Sequence, residues 1–437
     1  MRAIVILAFN CLSVVVFAQT VPTKLMTETG VRVVVQPDNN SDTVAICIFV
    51  RAGIAEERNL SGIGSLVSRA IFGRNLNQTS EEVAHCIFDV GGSLEAVWNP
   101  DYTLITCVTT AEQFHNAFYV ICQAIKFPEF DRETVDRART EILADASREA
   151  TNPFRVAYAA LRYAMYHESP YRDSFGPQPE SGRKLTAAAA AQFHNRFYSP
   201  GNTVISVVGN VRVSDVRKDA ENYLVDYKRP EPVQRARNAA ENPREAARVT
   251  RSIPTNTTTI VAGFAGPGLN DPDYPAFAVL TALIGGGKSS RVFRNVRDAS
   301  GLGYVVGAYT PPLARESHLL AYVEFDTNRT GPDGKKLEPA VAETMLVGTV
   351  KSVVESQPTD KEIERAKSFS IGTHALAHQR TRDRAFYLGW YELAGTGHGF
   401  DTEFPRRLAA VTRDEVVQAA KKYLNSCVVS VVQPEKR

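Results

Sequence analysis

The sequence predicts an α+β protein made of two homologous domains, each a mainly antiparallel sheet with a layer of helices. Three observations support this prediction. The chain has 437 residues, which is more than one hydrophobic core usually spans. Strand-like segments are grouped apart from helix-like segments, which favours α+β over alternating βαβ units. The same order of elements occurs twice, over about 160 residues each time, which is typical of a duplicated domain rather than a solenoid.

The first half begins with a β-branched run at 43–51, followed by a helix-like segment at 63–72. A hairpin-like pair of strands, two long helical segments, a closing helix and a closing strand come next. These elements are predicted at 93–98 and 102–109, at 131–149 and 153–165, at 185–197, and at 204–208.

The second half repeats this order. Its opening strand and helix are predicted at 257–264 and 274–284, and its closing helix and strand at 411–423 and 428–432. Three prolines and dense mixed charge between the halves indicate a linker. We therefore predict an N-terminal domain at 19–228, a linker at 229–250 and a C-terminal domain at 251–437.

Residues 1–18 have the features of a secretory signal peptide. Arg2 gives a positive start, an interrupted apolar stretch follows, and Val16-Phe17-Ala18 resembles a cleavage site. The stretch is shorter than the roughly 20 apolar residues that a membrane-spanning helix needs. We expect export to a periplasm or beyond and no membrane association after cleavage; an uncleaved anchor is the alternative.

The composition excludes some classes of protein. A hydrophobic fraction of 44% with 22% charged residues excludes a largely disordered chain. Lys and Arg number 50 against 48 Asp and Glu, a net charge of +2, so no nucleic-acid partner is expected. No cysteine pair has CxxC spacing. Cys47 and Cys107 lie in apolar strands and are expected as buried hydrophobes, although an oxidising compartment would permit a disulfide between them.

Several motifs resemble the insulinase/pitrilysin family of inverted-zincin metallopeptidases, over nearly the whole mature chain. They are Arg51-Ala52-Gly53 with Glu56 and Gly62-Ile63, then Gly91-Gly92, and the run from Gly285 to Phe293 with Val296-Arg297 and Gly301-Leu302-Gly303-Tyr304. The last set is the most specific as a group. The resemblance implies a bowl-like chain and a peptide substrate.

The zinc-binding motif of that family is missing. Active members carry H-x-x-E-H on the helix after Gly-Ile, in which two imidazoles bind Zn²⁺ and the Glu activates water. The resemblance places the two ligand positions at Ser65 and Arg69, the base at Ser68 and the distal ligand at Asp145. A serine hydroxyl is a poor zinc ligand and Arg69 adds a permanent cation. We expect no zinc here, and Asp145 to be a solvated or Arg-paired carboxylate.

Other family positions are retained or altered. Arg297 and Tyr304 match a paired Arg and Tyr that bind substrate near the scissile carbonyl, where a guanidinium and a phenol can stabilise an oxyanion. A structural role for both residues is the alternative. The strand that holds peptide in the family has Glu95-Ala96-Val97 here in place of Asn-Ala-x, which leaves peptide binding by that strand in doubt.

The resemblance implies a zinc-free subunit of a heterodimeric peptidase. A zinc-bearing paralogue would supply the metal and the base, and unfolded peptides would be the substrate. A non-catalytic exported scaffold or peptide-binding protein is the main alternative. A self-sufficient peptidase with a displaced metal site at His374 and His378 is a third. These imidazoles have i, i+4 spacing, but Ala375 replaces the Glu of H-E-x-x-H and no Glu or His with matching spacing is evident nearby. A polar helix face or adventitious metal binding is the expected role of this pair.

Overall fold

The computed structural model describes residues 20–57, 60–166, 169–172, 181–230, 247–330 and 337–435. The predicted signal peptide at 1–18 lies outside the described residues, as does most of the predicted linker. None of the helices in the described ranges combines the length and the apolar character needed to cross a bilayer.

The predicted strands and helices are all found in the predicted order, and the structure adds others that were not predicted. The strands are β1 (Thr23–Met26), β2 (Arg32–Pro37), β3 (Thr43–Val50), β4 (Arg74–Asn75), β5 (Ser93–Trp98), β6 (Thr103–Thr110), β7 (Pro128–Glu129), β8 (Thr203–Gly209), β9 (Ala247–Ile253), β10 (Thr257–Gly266), β11 (Val305–Tyr309), β12 (Ser317–Asp326) and β13 (Val428–Pro434). The helices are α1 (Ile54–Glu57), α2 (Ile63–Ala70), α3 (Ser80–Asp89), α4 (Phe114–Lys126), α5 (Arg132–Glu149), α6 (Pro153–Met165), α7 (Ala187–Phe197), α8 (Val213–Leu224), α9 (Tyr274–Gly285), α10 (Pro339–Glu355), α11 (Asp360–Ala377), α12 (Thr381–Ala394), α13 (Phe400–Ala410) and α14 (Arg413–Tyr423).

Each half forms a mainly antiparallel sheet with the same topology. The first sheet has the order β1-β2-β8-β3-β6-β5 and the second has the order β11-β12-β10-β13-β9. Read from the opposite edge, the second order matches the first strand for strand apart from the additional β1. In both sheets the one parallel pair joins the closing strand, β8 or β13, to an outer neighbour. The predicted α+β fold with two homologous domains is confirmed.

The two halves exchange a helix. The α6 helix belongs to the first half of the sequence but packs on β10 and β13 of the second sheet, and α12 of the second half packs on β3 and β8 of the first. Glycines allow these close approaches. A Cβ added to Gly263 in β10 would lie 2.8 Å from Leu161 Cδ2 of α6, and one added to Gly389 in α12 would lie 2.6 Å from Ser206 Oγ. The cores are therefore interlocked.

Cys47 and Cys107 are buried, as expected, but two other possibilities raised by the sequence meet a different local structure. The disulfide between Cys47 and Cys107 is not formed, because Ile46 is the register partner of Cys107 and the two thiols enter cores on opposite faces of the sheet. Burial raises the pKa of each thiol to about 12. Strand β9 begins at Ala247, inside the range 229–250 predicted as linker.

Candidate functional site

The first of two candidate regions is helix α2, which carries the positions of the missing zinc motif. The carboxylate of Glu57 accepts hydrogen bonds from the backbone N–H groups of Gly62 and Gly64, both at 2.8 Å, and so satisfies the start of the helix. The apolar residues of α2 are buried in the first core, and the helix packs against α5 and α7. This packing fixes which side chains point towards α5.

The serines of α2 form local contacts only. Ser68 is 3% exposed, and its hydroxyl donates a 2.9 Å hydrogen bond to the backbone carbonyl of Ser65. Neither residue offers an imidazole or a carboxylate. In this helix, therefore, nothing stands in for the two metal ligands and the base that the family motif would supply.

Arg69 joins α2 to α5 through two carboxylates. Its guanidinium donates to Glu141 Oε2 at 3.2 Å and also to Asp145, which is further paired with Arg148. Partial burial opposes ionisation of Asp145, but hydrogen bonds from Arg148 and Arg69 outweigh it and lower the pKa of Asp145. A fixed cation thus lies between the carboxylates, and the residues present do not fit a zinc ion.

Glu141 is a member of this cluster that the sequence analysis missed. It lies one helical turn before Asp145 on α5, and the two carboxylates share the same arginine. The i, i+4 spacing of two acidic residues on one helix was the available signal. That signal is weak by itself, because exposed helices commonly carry such pairs.

The second candidate region lies where α9 leads into the edge strand β11. A π-helical segment, Phe293–Ala299, carries Arg297, and Gly301 turns the chain with a φ of 62° before Tyr304. The Arg297 guanidinium carbon lies 4.8 Å from the ring centroid of Phe293 and 5.7 Å from that of Tyr304. The structure therefore brings the predicted pair into contact at one surface.

Tyr304 lies between two cations and is open to solvent. Its side chain is 68% exposed, and the guanidinium carbon of Arg329 is 4.9 Å from its ring. Among the described residues, neither Arg297 nor Arg329 has a salt-bridge partner within 4.0 Å. Arg329 follows the end of β12, and no motif in the sequence indicates that it belongs to this region. The phenol and both guanidinium groups can donate hydrogen bonds to an anionic ligand.

The residues Glu95, Ala96 and Val97 lie on β5, an edge strand whose partner among the described strands is β6. Glu95 and Val97 are exposed, and Ala96 faces the sheet's covered side. Glu95 pairs with Arg382 of α12, the helix contributed by the other half of the chain. The open backbone edge can accept an extended peptide, and the Glu95–Arg382 pair lies beside it.

Comparisons with known proteins match both halves. The family model described as insulinase (peptidase family M16) matches residues 32–176, and the model described as the peptidase M16 inactive domain matches residues 184–369. The uncharacterized zinc protease YmxG of Bacillus subtilis is 23% identical over 93% of this chain and 97% of its own. An uncharacterized zinc protease of Rickettsia felis is 22% identical over 90% and 92%.

Solved structures share the fold. A peptidase M16 inactive domain from Pseudomonas fluorescens superposes with a TM-score of 0.85 at 18% identity, covering 95% of this chain and 98% of that one. A protease from Helicobacter pylori superposes with a TM-score of 0.83 at 17% identity, covering 95% and 100%. The likeness therefore extends over both sheets.

Proposed function

Because the chain belongs to the insulinase family, peptidase family M16, we propose that it is the zinc-free subunit of a heterodimeric metallopeptidase. One observation carries this proposal. The first half holds Arg69 where a metal would bind, while the second half presents an exposed Tyr304 beside a partly buried Arg297, and neither side chain has a salt-bridge partner among the described residues. A chain that cannot activate water but keeps donors for an anion is suited to complete the site of another chain.

The partner in this proposal is a paralogue with an intact H-x-x-E-H motif, which supplies the metal and the activating carboxylate. Residues of the present chain bind and orient the substrate. Arg297 and Tyr304 donate hydrogen bonds to the oxygen of the scissile carbonyl as it acquires negative charge, with Arg329 adding positive potential beside the phenol. Removing one such donor typically lowers kcat by about 10²–10³.

The substrate in this proposal is an unfolded peptide. The open edge of β5 offers backbone groups to an extended chain, and such pairing is independent of sequence. The signal-like residues 1–18 support export, so the complex would act in a periplasm or outside the cell.

The test is reconstitution. A tagged chain is purified from its own host, the co-purifying homologue is identified, and both are produced separately. We expect cleavage of an unstructured fluorogenic peptide only when the two are mixed, and loss of cleavage with a chelator. Recovery with no zinc-bearing homologue, or no gain on mixing, would contradict the proposal and favour a non-catalytic exported peptide-binding protein.

A further inference from the structure

The structure gives His374, near the end of α11, and His378, the residue that follows this helix, a third partner that the sequence did not reveal. His374 and His378 are one turn apart, with ring centroids 4.0 Å from one another. Asp401, the second residue of α13, brings its Oδ1 to 2.6 Å from His378 Nε2. One donor atom from each of the three residues lies within 4.8 Å of the others. Nothing in the sequence indicates this third group, because Asp401 is 23 residues away from His378.

The neighbouring groups fix the orientation of His378. Its Nδ1 lies 2.6 Å from the backbone carbonyl of His374, and since a carbonyl only accepts, Nδ1 is the donor. Nε2 is thereby directed at Asp401. Tyr387 of α12 stacks on the imidazole at 4.3 Å with an interplanar angle of 20°. An imidazole whose second nitrogen donates to a carbonyl is the usual arrangement of a metal-ligating histidine.

We propose that His374, His378 and Asp401 form a binding site for a divalent transition-metal ion, with Zn²⁺ as the ion to test. Two imidazole nitrogens and one carboxylate oxygen are a donor set that zinc accepts, with a fourth position left for water. The side chains of His378 and Asp401 are 13% and 16% exposed, so an ion can enter without unfolding the site. The site goes beyond the proposed function, which leaves catalytic zinc to the partner chain.

The His378–Asp401 pair requires little adjustment to hold an ion. Zinc at about 2.0–2.2 Å from two tetrahedral ligands sets them about 3.3 Å apart. Nε2 of His378 and Oδ1 of Asp401 lie 2.6 Å apart in a direct hydrogen bond. Moving these two atoms apart by less than about 1 Å therefore makes room for the ion. Side-chain rotation of Asp401 on the first turn of α13 supplies this movement.

The role that fits is structural. The residues between the histidines are Ala375, Leu376 and Ala377, none of which can act as a base. An ion bound here joins the end of α11 to the start of α13. It would thus stabilise the helical layer of the second domain, by binding the folded chain and not the unfolded one.

The test is zinc titration of the full chain without its partner, by calorimetry and by thermal unfolding. We expect one ion per chain and a zinc-dependent rise in Tm. His374→Gln and Asp401→Asn should each weaken binding at least about tenfold. His115→Gln is the matched control, because His115 also pairs with a carboxylate, Asp219 at 2.5 Å, but has no second imidazole there.

A second control separates this site from the former catalytic position. Asp145→Asn should leave the zinc stoichiometry and affinity unchanged, because Asp145 belongs to the Arg69 cluster. Circular dichroism checks that each variant is folded, and Co²⁺ absorption reports the ligand set directly. The proposal would be overturned if the wild-type chain bound no zinc, or if folded His374→Gln and Asp401→Asn variants still bound it. Neither result depends on whether a peptidase partner exists.

Discussion

Replacing Ser65 and Arg69 with histidine is expected to create zinc binding at α2. The reason is that Arg69 reaches Glu141 and Asp145 with one guanidinium, so these carboxylates already converge on a space the size of a cation. Two imidazoles at i, i+4 with a carboxylate from α5 then complete a set of three ligands. The buried Ser68 stays unchanged, so the variant tests metal binding apart from catalysis.

The magnitudes favour a folded, zinc-binding variant. The Arg69 ion pairs involve side chains that are 34–54% exposed, so losing them costs at most about 1 kcal/mol each. A micromolar zinc site corresponds to a binding free energy of about −8 kcal/mol. Zinc at 100 times its Kd stabilises the folded state by about 2.7 kcal/mol, which exceeds the loss of roughly 2 kcal/mol.

The assay is zinc titration with calorimetry and thermal unfolding in an Asp401→Asn background, which removes the proposed second-domain site. The Arg69→His single variant is the control, since it supplies one imidazole only. We expect one ion per chain in the double variant and a Tm that falls when a chelator is added. If the double variant binds no more zinc than the control, the carboxylates of α5 do not converge and the account of a lost zinc site is refuted.

Two further predictions concern stability. Gly389→Ala places a methyl group in the tightly packed contact between α12 and the first sheet, so we expect the free energy of unfolding, measured in urea, to fall by about 1–3 kcal/mol. Gly372→Ala on α11 is the control: its Cβ meets nothing within 4 Å, so the free energy of unfolding should rise by up to about 1 kcal/mol. Equal effects of the two substitutions would contradict the helix exchange. Burial opposes ionisation of Glu362, but hydrogen bonds from Arg291 and Thr359 lower its pKa to about 2 from 4.5. The contribution of ionised Glu362 to the free energy of unfolding is therefore complete above pH 4.5 and lost as the pH falls towards 2. Between pH 6 and pH 3, Glu362→Gln should reduce the change in the free energy of unfolding by about 1–3 kcal/mol. An unchanged pH dependence would contradict this assignment.

Much of the fold could be predicted because its signals are local. The β-branched runs that open and close each half and the helices at 131–149 and 153–165 are all found within a few residues of their predicted ends. The exchange of α6 and α12 could not be predicted, since an amphipathic helix shows that one face is buried but not which sheet covers it. Whether Cys47 and Cys107 could form a disulfide was undecidable for a similar reason: a one-residue difference in register places the thiols on opposite faces.

The functional residues likewise divide into those that the sequence could predict and those that it could not. Ser65, Ser68 and Arg69 could be assigned from one motif, because the missing zinc ligands lie on a single helix. Glu141 has only the weak signal of its i, i+4 spacing from Asp145 on α5. Arg329 and Asp401 come from other elements and reach their clusters only through tertiary packing. A single sequence carries no signal of such contacts.

The central claim is that Arg297 and Tyr304 act on a substrate bound between this chain and a zinc-bearing partner. The most direct test is the steady-state kinetics of the reconstituted complex with Arg297→Ala or Tyr304→Phe in this chain. Tyr309→Phe at the end of the neighbouring edge strand β11 is the control, since it removes a phenol that lies against Tyr322. The account predicts that kcat falls about 10²–10³ for each variant with little change in KM, and that the control keeps full turnover. Unchanged kcat in both variants would contradict it.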